Sequence, residues 1–301
     1  MKEKLVYWLT YAAMWLIASL PFSVIYVLSD GFCFLMHRIV HYRLRVVRTN
    51  LKNSFPDKSE KELRKIEQDF YHYICDYMLE EIKMLRMSFK ELSKRMHYEN
   101  KEEYLQMIEK HGGIVLLIPH YANFEWIIGM GSIMKPDDVP VQVYKPLHNK
   151  YLDEMFQRIR SRFGGYNVSK HSMARELVKL RREKKKMAIG LITDQSPNPN
   201  EAHFWTTFLH QETGFMDGGE RVAKMMNFPV FYCDLHRIKR GYCKVKFDLI
   251  VEDPKSLESG EISACFAKLL EKTILRDPAY WFWSHKRWKV KREDINDSWI
   301  R

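Results

Sequence analysis

The chain has 301 residues, 46% hydrophobic, 29% charged and 14% aromatic, a globular balance long enough for one large α/β domain or two small ones. Its 49 Lys+Arg against 38 Asp+Glu leave a net +11, so it seeks acidic company: nucleic acid, anionic lipid head groups or acidic carrier proteins. Cys33, Cys75, Cys233, Cys243 and Cys265 are odd in number and form no CxxC, which excludes a disulfide frame or zinc site and reads as reduced packing thiols on the cytosolic side of any membrane.

From Leu5 to Leu28 the chain runs 24 residues without a charge, more than the roughly 20 that cross a hydrocarbon core. A secretory signal normally has an apolar region of about 7–15 residues and a small-residue cleavage site. Here Gly31-Phe32-Cys33-Phe34 continues apolar, so the segment is expected to be retained. Pro21 kinks or divides the span, leaving open a helix that enters one leaflet and lies along the interface. Arg38, Arg43, Arg45, Arg48 and Lys52 downstream outnumber Lys2 and Lys4 upstream, which places the body in the cytoplasm. Trp8, Trp15 and Tyr26 fit interfacial anchors or simple bulk. His37 and His41, four apart, lack a third metal ligand nearby and read as surface histidines. The division is residues 1–36 as membrane anchor and 37–301 as one α/β domain.

Ser59 and Glu62 have capping-box spacing before a helix whose stripe is Leu63, Ile66, Phe70, Tyr73, Ile74 and Tyr77. Asn100 and Glu103 repeat that spacing, and Gly112-Gly113 supplies a left-handed stop. Ile114–Ile118 then reads as a buried parallel strand. Strand 139–144, an amphipathic helix carrying Leu152, Met155, Phe156, Ile159 and Phe163, a helix from about Ser172 and strand 187–193 follow. A helix near 219–226 precedes strand 228–235; strand 242–251 follows the turn Arg240-Gly241. The last helix carries Ile262, Cys265, Phe266, Leu269, Leu270 and Ile274. Five strands alternating with helices predict one mostly parallel sheet covered on both faces.

IPHYANFEW places His120 just past a buried strand and Glu125 five residues later, in the first turns of the next helix. In open α/β sheets ligands bind outside the carboxyl ends of the strands. Five helical residues turn through about 500°, so the two side chains share a face only if His120 stays in the preceding turn. The carboxylate would then accept a hydrogen bond from one imidazole nitrogen and leave the other as a base toward a hydroxyl. The spacing by itself favours a structural pair, since His and Glu five apart are common by chance. GxSxG, GxGxxG, Walker and HExxH patterns do not occur.

IPHYANFEW resembles the HxxxxD/E motif of the glycerolipid and lipid A acyltransferases, in its Glu form. MFQRIRSRFGG at 155–165, ITDQSP at 192–197, TGFMDGGERVAKMMNFPV at 213–230 and YWFWSHKRW at 280–288 look like successive blocks of the lipid A secondary acyltransferases, the lauroyl and myristoyl transferases. The likeness runs in order over residues 5–290. It implies an O-acyltransferase with His120 as general base, Glu125 as its orienting partner, no covalent intermediate, no cofactor and no metal. Arg160, Arg162 and Asp194 fall in matching blocks near the acceptor site, and Lys145, in VYKP, stands where the block more often has Arg. The donor implied is acyl-acyl carrier protein, the acceptor a hydroxyl of a Kdo-bearing lipid A precursor, and the place the cytoplasmic face of the inner membrane.

Another membrane glycolipid, aminolipid or glycerolipid acceptor would keep the same chemistry. A membrane-tethered nucleic-acid-binding protein would use the charge and aromatics, but no nucleic-acid motif is present. The run Lys179–Lys186 reads as a soluble helix end, or as a dock for an acidic carrier protein or anionic lipid. Trp281, Trp283, His285, Arg287 and Trp288 are expected to pack against the membrane side of the body.

Overall fold

The computed structural model describes residues 2–146 and 149–295. Two helices open it, α1 (Lys2–Ser19) and α2 (Phe22–Phe34), the second prolonged by a π-helical turn at Leu35–Ile39. The expected span 5–28 is thus divided at Pro21. Among the described residues, Phe22–Ile39 is the helix long and apolar enough to cross a membrane.

Both helices dock on the long helix α4 (Glu60–Lys83), after the short α3 (Leu44–Ser54). The Lys83 ammonium caps α1 through the carbonyls of Ala18 and Leu20. The α2 contact is polar: Tyr26 donates to Glu80 (2.9 Å), Ser29 to Asp76 (2.7 Å), and His37 pairs with Glu67 (2.9 Å). His37 is therefore not a surface residue. It is buried and stacks on Tyr71, with ring centroids 4.3 Å apart. The opposite face of α1–α2 exposes Trp8, Leu9, Leu16, Val27 and Phe34.

The Ser59/Glu62 capping box forms as the spacing predicts. Asn100 does something else. Its side chain makes no bond to the helix backbone and instead holds both the N–H and the carbonyl of Phe247 on a neighbouring strand. Gly112, at φ 77°, ends its helix in the left-handed region that favours glycine.

The remaining elements are α5 (Phe89–Arg95), β1 (Met96–Tyr98), α6 (Lys101–His111), β2 (Gly113–Ile118), a 3-10 helix (Phe124–Ser132), β3 (Val139–Tyr144), α7 (Lys150–Ser161), β4 (Tyr166–Ser169) and α8 (Met173–Arg182). After them come β5 (Met187–Ile192), β6 (Phe204–Phe208), β7 (Gln211–Phe215), α9 (Gly218–Met226), β8 (Val230–Lys239), β9 (Tyr242–Val251) and α10 (Glu261–Arg276). Among the described residues the main sheet has seven strands in the order β1-β9-β8-β2-β5-β3-β4, and within it only the β8–β9 pair is antiparallel. It is the mostly parallel, helix-covered sheet expected. Beyond the five expected strands, β1 and β4 extend its edges, and β6–β7 form a separate antiparallel hairpin.

Every residue of β2 is buried, as a run of apolar residues at the centre of a parallel sheet requires. Four cysteines are buried packing residues and Cys265 is exposed at the edge of its helical stripe. The run Lys179–Lys186 ends α8 and leads into the first residue of β5, so it lies at the amino edge of the strands, away from the His120 turn. Lys186 pairs there with Glu109.

Candidate active site

Ile118 and Ile192 are register partners in the parallel β2–β5 pair. Two residues further along each strand, His120 and Asp194 therefore leave the sheet side by side. Asp194 Oδ1 accepts from His120 Nδ1 at 2.6 Å, and its Oδ2 accepts from the His120 backbone N–H (3.0 Å) and from Trp281 Nε1 (2.8 Å). Burial opposes the Asp194 charge, but the imidazole and these donors hold its carboxyl below the ordinary range. With Nδ1 committed as donor to a carboxylate, Nε2 carries the ring's lone pair, and in this structure it accepts from the Gln195 amide Nε2 at 3.1 Å.

The expected contact between Glu125 and the imidazole is not formed; Asp194 stands in that place. Glu125 is instead in a two-bond fork with Arg160, at 2.6 and 3.1 Å. The helix carrying it is 3-10 rather than α, and His120 lies in the turn before it, as the angular argument demanded. Burial works against the Arg160 charge, yet the Glu125 carboxylate keeps its pKa above the ordinary value.

The turn 119–123 is braced from both sides. Ala122 is held at φ 47°, a conformation costly for a residue with a Cβ. Its N–H donates to Tyr280 O and its carbonyl accepts from Tyr73 Oη, while Asn123 donates to the buried Glu80 (2.7 Å). The terminal aromatic block thus packs into the body and helps to build the site. Trp281 holds Asp194, and the Phe282 ring lies 5.3 Å from that of His120. His285, its pKa pushed down to about 4 by burial, stays neutral and accepts the Ser196 N–H at Nε2. Arg287 is buried, and its pKa, lowered by burial to about 10, still leaves a cation near Asp194 at neutral pH.

His120, Glu125, Lys145 and Arg160 line one cavity of about 460 Å³. Its floor is made by Ala188, Gly190 and Ile192, alternate residues on one face of β5, and its walls include Ile127, Ile128, Met130 and Val141. Small residues at the centre of the sheet leave the hollow; the surrounding side chains make it apolar. Lys145 sits exposed at the end of β3. Arg162 is not brought to this cavity. Its guanidinium donates to the carbonyls of Met84, Leu85 and Met87, capping the end of α4.

Beside the Glu125–Arg160 pair, burial and the Glu125 charge hold the Glu81 carboxyl well above the usual carboxylate range, and its buried Oε1 makes no hydrogen bond. The folded protein therefore keeps a proton there that the unfolded chain releases above about pH 4.3. This costs stability increasingly as pH rises through that value. Glu81→Gln is expected to melt higher than the native protein at pH 7–8, with the gap closing near pH 4; a gap independent of pH in thermal melts would refute the protonated state.

A family model described as "Bacterial lipid A biosynthesis acyltransferase" matches residues 1–290. The chain is similar to the lipid A biosynthesis lauroyltransferase of Escherichia coli K12, at 24% identity over 96% of this chain and 94% of that protein. It is also similar to that organism's lipid A biosynthesis palmitoleoyltransferase, at 20% over 95% and 92%, and to a lipid A biosynthesis acyltransferase of Haemophilus influenzae, at 23% over 97% and 93%. A histidine held by a carboxylate at the carboxyl edge of the sheet, beside an apolar hollow, thus sits in a chain that belongs to the bacterial lipid A biosynthesis acyltransferase family and is an O-acyltransferase.

Proposed function

We propose that the protein moves a fatty acyl chain from an acyl-acyl carrier protein thioester to a hydroxyl of a Kdo-bearing lipid A precursor at the cytoplasmic face of the inner membrane. The observation that carries this reading is His120, its Nδ1 fixed by Asp194 and its ring at the wall of the apolar cavity. The acyl chain lies in that cavity with its thioester carbonyl near Nε2. His120 Nε2 takes the proton of the acceptor hydroxyl as its oxygen attacks the carbonyl carbon. The tetrahedral intermediate then expels the carrier thiolate, which recovers the proton from Nε2–H, giving an ester and a free thiol. An activated thioester needs no enzyme nucleophile, and general-base assistance is worth about 10²–10⁴-fold. Asp194 keeps the imidazole in the useful tautomer and balances the imidazolium. Glu125 acts through Arg160, fixing a guanidinium on the cavity wall; Lys145 lies on the same cavity, where it would meet anionic groups of the substrates.

Purified protein given an acyl-carrier thioester and a lipid A precursor should yield a product heavier by one acyl chain in mass spectrometry, and His120→Ala should abolish it while remaining folded. Full activity in that variant would overturn the assigned base.

A further inference from the structure

A second hollow, of about 710 Å³, shares no lining residue with the His120 cavity and runs between α3 and the C-terminal stretch 286–293. Arg45, Lys286, Lys289, Lys291 and Arg292 line it against Glu212 and Glu293, five cations to two carboxylates. The pairs it does contain, Arg292–Glu212 at 3.2 Å and Lys291–Glu293 at 3.4 Å, are solvent-exposed on both sides and so hold their cations weakly. Arg45, Lys286 and Lys289 form no ion pair among the described residues.

The groove is linked to the His120 turn through the C-terminal stretch. Asn50, in its wall, donates to the carbonyls of Trp283 and His285. Phe282, the preceding residue, packs its ring against His120, and His285 accepts from Ser196, two residues after Asp194. At its other end the groove begins on α3, which follows the exposed apolar residues Leu35, Ile39 and Val40. A basic concavity, exposed apolar residues just before α3 in the chain and a link to the His120 turn together describe a ligand with anionic groups on its head and hydrocarbon behind it. Neither arginine expected near the acceptor serves that purpose: Arg160, on the cavity wall, is held by Glu125, and Arg162, outside the cavity, caps α4.

We propose that this groove binds the phosphate-bearing head group of the glycolipid acceptor and presents its hydroxyl to His120, while the lipid chains lie over the apolar surface at Ile39 and Val40. The assignment rests on the acceptor being a lipid A precursor. Lys and Arg side chains at several points along a concave wall suit phosphate and sugar-acid groups through charge-assisted hydrogen bonds. The concavity, and the exposed apolar residues that precede α3, favour a lipid head group over the convex surface of an acidic protein.

The test uses the full chain in detergent micelles, with Lys286→Glu/Lys289→Glu and the neutral pair Lys286→Gln/Lys289→Gln; both positions are exposed. Equilibrium binding of a phosphorylated lipid A precursor is measured beside that of the same glycolipid stripped of phosphate, and initial rates are taken against acceptor and against acyl carrier. The charge-reversed protein is expected to bind the phosphorylated glycolipid at least tenfold more weakly and to raise the acceptor KM in proportion, with kcat and carrier KM within twofold; the neutral pair should fall between. For the dephosphorylated glycolipid, all three proteins should bind alike. Unchanged binding of the phosphorylated glycolipid overturns the proposal. So does a rise in carrier KM with acceptor KM unchanged, which would give the groove to an acidic carrier protein. A native protein that binds the phosphorylated glycolipid in this charge-dependent way but transfers nothing to it would refute the functional reading and leave the groove assigned.

Discussion

Asp194→Asn is expected to lower kcat by about 10²–10⁴-fold while leaving the fold intact. An asparagine amide can still meet the His120 backbone N–H and Trp281 Nε1, so the three-way junction at this side chain survives in outline. It no longer holds the charge that balances an imidazolium, and the amide can present its NH₂ to Nδ1. That would favour the tautomer whose proton sits on Nε2, where it cannot accept from a hydroxyl. His120→Ala and Asp194→Asn should therefore be far from additive. Glu125 and Arg160 form a second unit, joined by their own fork, and losses from one unit should add to losses from the other. Steady-state kinetics on the four single and the paired variants decide this. If Glu125→Ala and His120→Ala proved non-additive while Asp194→Asn and His120→Ala added, Glu125 and not Asp194 would be the imidazole's working partner.

Gly190→Val should shorten the acyl chain the enzyme accepts. Gly190 lies on the cavity floor between Ala188 and Ile192. A Cβ there would meet Ile118 Cδ1 at 3.2 Å and the Val141 carbonyl at 3.6 Å, so the first added carbon fits with slight adjustment of a flexible side chain and the branch fills the hollow. Each methylene pushed out of an apolar pocket forfeits about 0.8 kcal/mol, which is close to fourfold in kcat/KM at 25 °C. Competition between acyl carriers of different length should show the preference moving toward shorter chains by about one or two carbons, with the shortest donors nearly unaffected. Equal losses for all lengths would mean that the chain lies elsewhere.

Much of the architecture is legible in local sequence because its signals are local. A branched apolar run bounded by Gly-Gly and Pro119 marks β2, Ser59 and Glu62 announce α4, and Gly112 and Gly241 sit at positive φ where a helix stop and a turn were expected. The hairpin β6–β7 escaped for a physical reason. Its two turn residues, Leu209 and His210, both adopt positive φ (48° and 63°) without being Gly or Asn, so the usual composition of such a turn is missing. β1 and β4, at three and four residues, are too short to show a period. At the site, the position of His120 in a turn after β2 could be argued from spacing. Asp194, ending another expected strand, could be argued into the same cleft, but not into contact with the imidazole, since it is 74 residues away and only the adjacency of β2 and β5 brings it there. Glu125 was close in sequence but was claimed by Arg160, contributed by α7 and 35 residues distant.

The contact between α2 and α4 bears on how the chain can be divided. One face of α2 is apolar and exposed; the other completes hydrogen bonds for Asp76 and Glu80, which are buried in α4. Glu80 in turn holds Asn123, three residues beyond His120. Removing the first 36 residues would strip Tyr26 and Ser29 from these carboxylates and open a polar seam directly behind the His120 turn, leaving buried charges without their partners. Residues 1–36 are therefore not a folding unit separate from the rest, and the helix whose outer face is apolar is also an inner wall of the protein.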